Sequence, residues 1–533
     1  MNPTTDAART EHLISTMTEQ FASLTRTLSN WMQEQEHSLA EVEHHVVRLL
    51  KELGASLVAG LCSLAAPAQP SRTLPCSCGQ AATYQRERKA QITTLLGSIT
   101  IWRSYYLCPA CGLGQHPLDA HLQICAGSRS AALDELLALL GATQDSFAQA
   151  AQVLERLTLV HLSANSVRDA THQLGALLLE QQPQPLAQPL PTPAPCPKAT
   201  ASSSPLYITM DGVLAHLHER GYAEIKVGCC YHTQTRMQHS RGEREEVRAH
   251  SASYLTSLAE AHTFGWQLWR EGLRRGSLAA EQLVVLGDGA HWIWNIAEKH
   301  FPRATQILDW YHASGYVWTA ASAIWGEASP RRAAWAEAQL EQLWQGKVAQ
   351  VLVELEQWRE RGEAVEAALS YYSEHQTRMD YASYRARGLQ IGSGTVESAC
   401  KQVVSARLKQ AGMIWNAEGA EAVAVVRAWL KSERWEEAMA LRGVRRRSYR
   451  RRSAKQEQGE CEPKQQAADE VVQVAVKQQE QAERRVLSVE VLAQVRAELA
   501  EQSGKNVWRR AGSLKRQEQQ AAQRNEPRSA LAA

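Results

Sequence analysis

The sequence lacks both a strong net charge and any long apolar run, and each absence excludes a simple interpretation. The 58 Lys and Arg residues nearly balance the 56 Asp and Glu residues, so the formal charge is only +2 and only local clusters can argue for a nucleic-acid partner. No stretch of about 18 uninterrupted apolar residues predicts a transmembrane helix, and the N-terminus lacks the basic run and apolar block of a signal peptide. We therefore expect a cytoplasmic protein.

The length and the cysteine content set further limits. A chain of 533 residues is too long for one hydrophobic core, because single cores stop growing at roughly 250–300 residues, so several domains are expected. The 11 cysteines are poor candidates for a disulfide framework in a cytoplasmic protein. Closely spaced cysteine pairs are therefore interpreted first as metal ligands or as buried thiols.

Residues 1–70 have the periodicity of an amphipathic helical segment. From Ile14 to Leu64 apolar residues recur at steps of three and four, which predicts one long helix or a helix pair interrupted by polar residues near Gln35. The apolar seam could form a coiled coil between two protomers, which makes the segment a candidate for oligomerisation. Packing onto its own chain is the alternative.

Residues 71–120 contain two cysteine pairs arranged as in a zinc ribbon. Cys76 and Cys78 form the first pair, Cys108 and Cys111 form the second, each pair is followed by glycine, and strand-like stretches lie between them. Tetrahedral zinc with four thiolates needs two tight turns brought together by a hairpin, so these residues are predicted to hold one structural Zn²⁺. The first pair is one residue shorter than the usual Cys-x-x-Cys, and four unligated thiols are the alternative.

Residues 121–181 are predicted to be helical, with Ser163 as the N-cap of a helix that carries Arg168. A short turn between two helices permits a DNA-binding helix-turn-helix, and a generic helical bundle is the alternative. Residues 182–204 are rich in Pro and Gln, which is typical of a linker and marks a domain boundary.

Residues 205–432 alternate strands and helices as an α/β domain does. A helix is predicted near 265–273, another from Ala290, a helical insertion over about 318–384, and a final helix from Thr395 to Trp429. Three strands, a helix, a strand ending in Asp, a helix and a further strand are in the order of an RNase H-like fold. The five predicted strands are 206–213, 222–230, 247–254, 283–289 and 305–309.

Three carboxylates in this domain are predicted to be catalytic. Asp211 lies in the first strand, Asp288 ends the fourth, and Glu397 lies in the first turn of a later helix. Adjacent placement of the two strands would bring both aspartates to one edge of the sheet. Phosphodiester chemistry needs such a set because two Mg²⁺ ions, roughly 3.5–4 Å apart, clamp the attacking and leaving oxygens. Taken singly, an Asp-Gly pair is ordinarily a turn, and a first-turn Glu ordinarily complements the helix dipole.

The last hundred residues, 433–533, form a polar tail that begins with a basic run. Arg442 to Lys455 carries eight basic side chains and no acid, and a run of this kind is either a solvated tail or a contact for phosphates. The side chains predicted to contact DNA are Arg445, Arg446, Arg447, Arg450, Arg451 and Arg452.

Four blocks in this order resemble bacterial insertion-sequence transposases with an Asp-Asp-Glu triad, specifically the ISKra-type family, which is related in its core to Mutator-like transposases. The resemblance covers Cys76 to about Trp429, and the upstream cysteine pairs are similar to that family's zinc-binding region. The blocks are Thr209-Met210-Asp211-Gly212, Leu286-Gly287-Asp288-Gly289-Ala290-x-Trp292-Ile293, Ile307-Leu308-Asp309-Trp310-Tyr311-His312 and Ile391-Gly392-Ser393-Gly394-x-x-Glu397-Ser398.

The resemblance implies DNA cleavage and strand transfer by Asp211, Asp288 and Glu397, with two Mg²⁺ (or Mn²⁺) ions, on element terminal inverted repeats and target DNA at the bacterial nucleoid. It also implies a homodimer or higher oligomer on DNA. Asp309 and His312 match an Asp-x-x-His motif of such transposases and are assigned a positioning role, although both could merely satisfy backbone groups or one another. An RNase H-like nuclease or resolvase without joining activity, and a non-enzymatic DNA-binding regulator, are the alternatives.

Overall fold

The computed structural model describes residues 3–66, 70–122, 124, 129–182, 204–238 and 244–442, which form a mixed α/β structure with two sheets. The predicted linker, apart from its end residues, and the predicted DNA-binding arginines from Arg445 to Arg452 lie outside these ranges. No helix within the described ranges is both long and apolar enough to cross a membrane.

The N-terminal segment is a pair of helices, α1 (Pro3–Glu34) and α2 (Leu39–Leu64). The break falls next to the polar residues near Gln35, and Ser38 then caps α2 by accepting a hydrogen bond from the Glu41 amide. The helices run antiparallel, because Arg9 near the start of α1 donates to the Ala66 carbonyl just after α2 at 2.9 Å.

The first sheet contains four antiparallel strands in sequence order: β1 (Thr73–Pro75), β2 (Ala81–Thr94), β3 (Gly97–Leu107) and β4 (Gly114–Gln115). A short helix, α3 (Pro117–His121), follows. Ile92, Ile99 and Ile101 at one end of the long β2–β3 hairpin pack against α2, while the four cysteines lie at the other end.

Three helices, α4 (Ala131–Thr143), α5 (Phe147–Thr158) and α6 (Ala164–Glu180), link the two sheets in sequence. Each begins after a serine whose hydroxyl accepts a backbone hydrogen bond, and the predicted N-cap Ser163 is confirmed by its bond from the Ser166 amide at 3.3 Å. Arg168 on α6 is exposed and pairs with Asp169 at 2.9 Å. DNA reading by α6 stays a prediction.

The second sheet has five strands, and all five lie where the sequence predicts them. They are β5 (Leu206–Leu217), β6 (Gly221–Gln238), β7 (Arg244–Ser257), β8 (Leu283–Gly287) and β9 (Thr305–Leu308). Their order across the sheet is β7-β6-β5-β8-β9. Strands β5, β6 and β7 are antiparallel neighbours, whereas β8 runs parallel to β5 and β9 runs parallel to β8. Helix α7 (Ala261–Arg274) connects β7 to β8, and α8 (His291–His300) connects β8 to β9.

A block of helices follows β9 and contains the predicted helical insertion. It begins directly after Asp309, and aromatic side chains tie it to the sheet, as when Tyr384 donates its hydroxyl to the Gln306 carbonyl of β9 at 3.3 Å. The helices are α9 (Trp310–Trp325), α10 (Pro330–Trp344), α11 (Val348–Glu356), α12 (Glu363–His375) and α13 (Tyr381–Ala386).

The prediction of one continuous helix from Thr395 to Trp429 is wrong. The segment contains α14 (Gly394–Ala399), a π-helical turn (Cys400–Ser405), α15 (Ala406–Leu408) and α16 (Ala417–Lys431). The helix ends at Leu408, Gly412 then turns the chain with a φ of +76°, and the Trp415 amide donates to the His216 carbonyl at 3.0 Å beside the end of β5. Tertiary pairing therefore interrupts a sequence whose apolar periodicity is helical.

The second sheet is covered on both faces. Phe264 and Leu268 of α7 share one core with the helices that follow β9, and Val396 and Val403 of the α14 region share another core with Val213 of β5. The sheet is therefore buried between two helical layers, which suits its three parallel strands.

Candidate active site

Three aspartates occupy the same level on neighbouring parallel strands. Thr209 of β5 pairs with Leu286 of β8, Leu286 pairs with Ile307 of β9, and an aspartate follows two residues after each of them: Asp211, Asp288 and Asp309. The Asp309 amide donates to the Gly287 carbonyl at 2.8 Å, which continues the pairing beyond β9. The carboxyl ends of parallel strands, where ligands commonly bind in α/β proteins, are therefore rich in carboxylates here.

Asp309 is fully buried and holds two segments together. One oxygen, Oδ1, accepts a hydrogen bond from the Ser393 amide at 2.6 Å. The other, Oδ2, accepts the His312 amide at 2.9 Å and lies 2.6 Å from His312 Nδ1. Burial alone would raise the pKa of Asp309, but the hydrogen bonds and the charge of His312 outweigh it and lower the pKa. The carboxylate is therefore charged at neutral pH and fixes the His312 ring.

Glu397 lies beside this pair. It occupies the first turn of α14, and its Oε1 accepts the Ser393 hydroxyl at 3.2 Å. One ligand atom each of Asp309, His312 and Glu397 lies within 4.8 Å of the others, so these three side chains could hold a metal ion. A Cβ at Gly392 in the preceding turn would lie 2.9 Å from the Tyr311 ring, so the ring would have to shift to admit a side chain there.

Asp211 and Asp288 lie outside this group of ligand atoms. Asp211 Oδ1 accepts the Gly212 amide at 2.7 Å, and its Oδ2 lies 3.7 Å from Cys400 Sγ in the π-helical turn. Asp288 Oδ1 accepts the Ala290 amide at 3.1 Å. Among the described residues, Glu397 is therefore the one predicted catalytic carboxylate that lies in a group close enough to hold a metal ion. The other members of that group are Asp309 and His312, which were predicted to position the site.

The four cysteines of the first sheet form a second candidate metal centre. Cys76 Sγ lies 3.6 Å from Cys111 Sγ, Cys78 Sγ lies 3.6 Å from Cys108 Sγ, and all four sulfurs lie within 4.8 Å of one another. Tetrahedral Zn–S bonds of about 2.3 Å would place the sulfurs about 3.8 Å apart. The cluster could therefore hold a metal ion such as zinc.

Both cysteine pairs lie on tight turns that the following glycine completes. Gly79 has a φ of +84° and Gly112 a φ of +71°, and their amides donate to the Cys76 and Cys108 carbonyls at 3.0 and 2.9 Å. A backbone hydrogen bond from Cys78 lowers the pKa of the Cys76 thiol to about 6. A backbone hydrogen bond from Gln80 acts in the same direction on Cys78, but burial and the other three thiols outweigh it and raise the pKa of Cys78 instead. Cys76 is therefore the thiol of this pair that more readily becomes the thiolate that binds metal. The short first pair therefore lies on a turn one residue tighter than the second, since the Gly79 bond spans three residues and the Gly112 bond spans four.

The sequence interpretation missed three residues around the carboxylates. Ser393 bonds to both Asp309 and Glu397, Cys400 contacts Asp211, and Tyr371 donates its hydroxyl to the Asp288 carbonyl at 2.9 Å. The spacing of Cys400, three residues after Glu397, would have placed it on the same helix face. Tyr371 comes from the helical insertion, and no sequence signal marks it.

A model of an uncharacterised protein family, UPF0236, matches residues 28–442. The match includes the cysteine cluster, the second sheet and all the carboxylates described above. No curated protein matches the chain.

Proposed function

We propose that this chain, which belongs to the uncharacterised protein family UPF0236, is a transposase that cleaves DNA and transfers the cut strand by metal-dependent phosphodiester chemistry. The observation that carries the proposal is the row of Asp211, Asp288 and Asp309 at one level of β5, β8 and β9, with Glu397 against Asp309. Four carboxylates gathered near the carboxyl ends of these parallel strands suit a reaction that needs hard cations such as Mg²⁺.

The strand order supports an RNase H-like core for this activity. Strands β5, β6 and β7 form an antiparallel meander, and β8 and β9 then add in parallel on the other side of β5. Asp211 on the first strand and Asp288 after the fourth are thereby neighbours, as the resemblance to insertion-sequence transposases requires.

The donor set fits the cations of such an enzyme. Carboxylate oxygens are the ligands that both Mg²⁺ and Mn²⁺ prefer. We assign Asp211, Asp288 and Glu397 as the residues that would hold two Mg²⁺ or Mn²⁺ ions. When bound, such ions would activate the attacking water or 3′ hydroxyl and stabilise the leaving oxygen.

The surrounding residues orient these carboxylates. Buried Asp309 keeps the His312 ring in one orientation and anchors the Ser393 amide, and the Ser393 hydroxyl bonds to Glu397. The Cys400 thiol bonds to Asp211. Asp309, His312 and Ser393 therefore act in our proposal as positioning residues, because second-layer hydrogen bonds fix the direction of metal-binding side chains.

Other parts of the chain fit a DNA substrate. We propose that Cys76, Cys78, Cys108 and Cys111 hold a structural Zn²⁺, and that Arg445 to Arg452 contact phosphates of the element ends and target at the bacterial nucleoid. A transposase that acts on two element ends also needs two active sites, and a homodimer would supply them.

The experiment is a cleavage and joining assay with full-length protein, DNA carrying the ends that flank its coding gene, and Mg²⁺ or Mn²⁺. We expect cuts at the ends and covalent joining to target DNA. Cuts without joined product would favour a nuclease or resolvase, and binding without cuts would favour a regulator; either result overturns the proposal. Asp380→Asn is a suitable control, because Asp380 caps α13 and Asn caps equally well.

A further inference from the structure

The helix that carries Glu397 changes its winding three residues after Glu397. Residues Cys400–Ser405 form a π-helical turn, in which backbone bonds run from i to i+5 instead of i to i+4. Such a turn is rare and persists only when other contacts hold it. It lies against Asp211 through Cys400, so its shape affects two of the proposed catalytic carboxylates.

A buried arginine from α16 bonds to the carbonyls of this turn. Arg427 is 6% exposed, its Nε donates to the Val403 carbonyl at 2.7 Å, and its Nη2 donates to the Gln402 carbonyl. Its Nη1 donates to the Ala142 carbonyl in the last turn of α4. One guanidinium therefore joins the π-helical turn to a helix that lies far earlier in the sequence.

A second buried arginine repeats this connection from the other side. Arg407 is the second residue after the π-helical turn, is 1% exposed, and donates from Nε to the Gly141 carbonyl of α4 at 3.1 Å. Its guanidinium lies 4.6 Å from the Phe147 ring centroid and 5.0 Å from that of Trp415. Burial lowers the pKa of Arg407 to about 10, so the side chain is still charged at neutral pH.

No ion pair of either arginine occurs among the residues that the structure describes. Burying two cations without an ion pair is costly, and their charges repel each other, which the charge of Asp145 offsets only in part for Arg407. The carbonyls at the C-terminus of α4 offset this cost, because the negative end of the helix dipole lies there. Ordinary packing with apolar side chains would avoid the cost, so a specific role is a better explanation than stability alone.

We propose that Arg407 and Arg427 are positioning residues that hold the π-helical turn after Glu397 against the end of α4, so that the N-terminal helical region completes the catalytic site. The inference rests on the proposed function of Glu397. Lysine cannot replace Arg427, because a single ammonium group cannot donate to three carbonyls that lie in different directions around the planar guanidinium group.

The variants are Arg427→Lys and Arg427→Met, and the matched control is Arg385→Met. Like Arg427, Arg385 donates to a carbonyl at the C-terminus of a helix, that of Trp344 at 2.8 Å, but it lies in the helical insertion, where its guanidinium is 3.7 Å from the Trp344 ring centroid. Thermal melts of all three proteins should show whether folding is kept.

The first readout needs no activity. Cys400 lies in the π-helical turn and is buried, so its alkylation rate in the native protein reports opening of the turn. We expect both Arg427 variants to raise this rate at least tenfold while fully buried Cys229 and Cys230 stay protected. An unchanged Cys400 rate would overturn the proposal, because it would show that Arg427 does not hold the π-helical turn in place. An equal rise at all three cysteines would also overturn it, because it would show general destabilisation.

The second readout is the metal dependence of cleavage. We expect the Arg427 variants to need at least tenfold more Mg²⁺ for half-maximal cleavage with an unchanged KM for DNA, and Arg385→Met to behave as the unsubstituted protein does. An unchanged Mg²⁺ requirement would contradict the positioning role. Absence of cleavage by the unsubstituted protein would refute the proposed function instead. The Cys400 measurement would then still test whether Arg427 holds the π-helical turn against α4.

Discussion

Removing metal from the cysteine cluster should open one end of the first sheet while the rest stays folded. The apolar core at that end is small: the buried residues are Cys76, Ala82, Tyr106 and Cys108. The opposite end of the β2–β3 hairpin is held by isoleucines packed on α2. The two ends therefore have separate sources of stability, and only one depends on the metal.

The expected effect is large because metal coordination supplies most of the stability that a larger apolar core would otherwise give this end of the sheet. Structural zinc in small zinc fingers contributes an apparent 10–16 kcal/mol or so near neutral pH, whereas burial of a large apolar side chain contributes roughly 1.5–3 kcal/mol. With Tyr106 as the one large buried side chain there, we expect the local free energy of opening to fall by at least about 4 kcal/mol. A fall of that size accelerates amide exchange about a thousandfold.

The assay is metal analysis followed by hydrogen exchange with and without a chelator. We expect about one equivalent of zinc, and rapid exchange confined to β1, β4 and the adjoining ends of β2 and β3 after chelation. Cys62→Ser is the control, since Cys62 packs against the isoleucine end and should leave the zinc in place. Full zinc occupancy in a Cys108→Ser, Cys111→Ser double variant, or unchanged exchange after chelation, would refute the reasoning.

Three further predictions test other parts of the chain. Burial alone would raise the pKa of Glu271, but two hydrogen bonds from Arg274 at 2.5 and 2.8 Å outweigh burial and lower the pKa. The charged Glu271 therefore stabilises the folded protein above the unfolded-chain pKa of about 4.3. This contribution is lost as the pH falls through the lower pKa of the folded state. Glu271→Gln should therefore cost roughly 3 kcal/mol of unfolding free energy at pH 7 and less in acid, and parallel stability curves would count against this. Deleting residues 443–455 should reduce the slope of log affinity for DNA against log salt by about 5 if six arginines each reach a phosphate, and an unchanged slope would show that they do not. Leu57 and Leu61 are 40% and 51% exposed on α2, so changing both to Glu should convert a homodimer to a monomer in light scattering, and an unchanged mass would exclude this seam as the interface.

Local patterns predicted the elements and the cysteine cluster well. The apolar run Leu283–Gly287 is fully buried, as expected for a strand covered on both faces, and the glycine after each cysteine pair marks the turn that brings the sulfurs together. The Asp-x-x-His pattern also indicated a real contact, since Asp309 and His312 lie 2.6 Å apart. Each of these signals acts over a few residues, which is the range in which sequence periodicity and turn chemistry are informative.

The remainder depends on contacts between distant segments. The bond between Arg427 and Ala142 spans 285 residues, and the π-helical turn is not visible in the periodicity of residues 395–429. Gln182, at the edge of the predicted linker, donates to the Thr256 carbonyl at 3.1 Å and is buried against β7. Arg407 and Arg427 lie in the predicted helix of residues 395–429 and are buried, and the apolar periodicity of that segment gives no sign of it.

The central claim is that Asp211, Asp288 and Glu397 hold the catalytic metal ions, and Asp288→Asn tests it most directly. The amide keeps the shape of the side chain and removes the charge that binds a cation, so the variant should bind element-end DNA normally and cleave it at least a thousandfold more slowly in Mg²⁺, an effect of about 4 kcal/mol on the barrier. Asp380→Asn should cleave at the unsubstituted rate. Normal cleavage by Asp288→Asn with bound DNA would contradict the account.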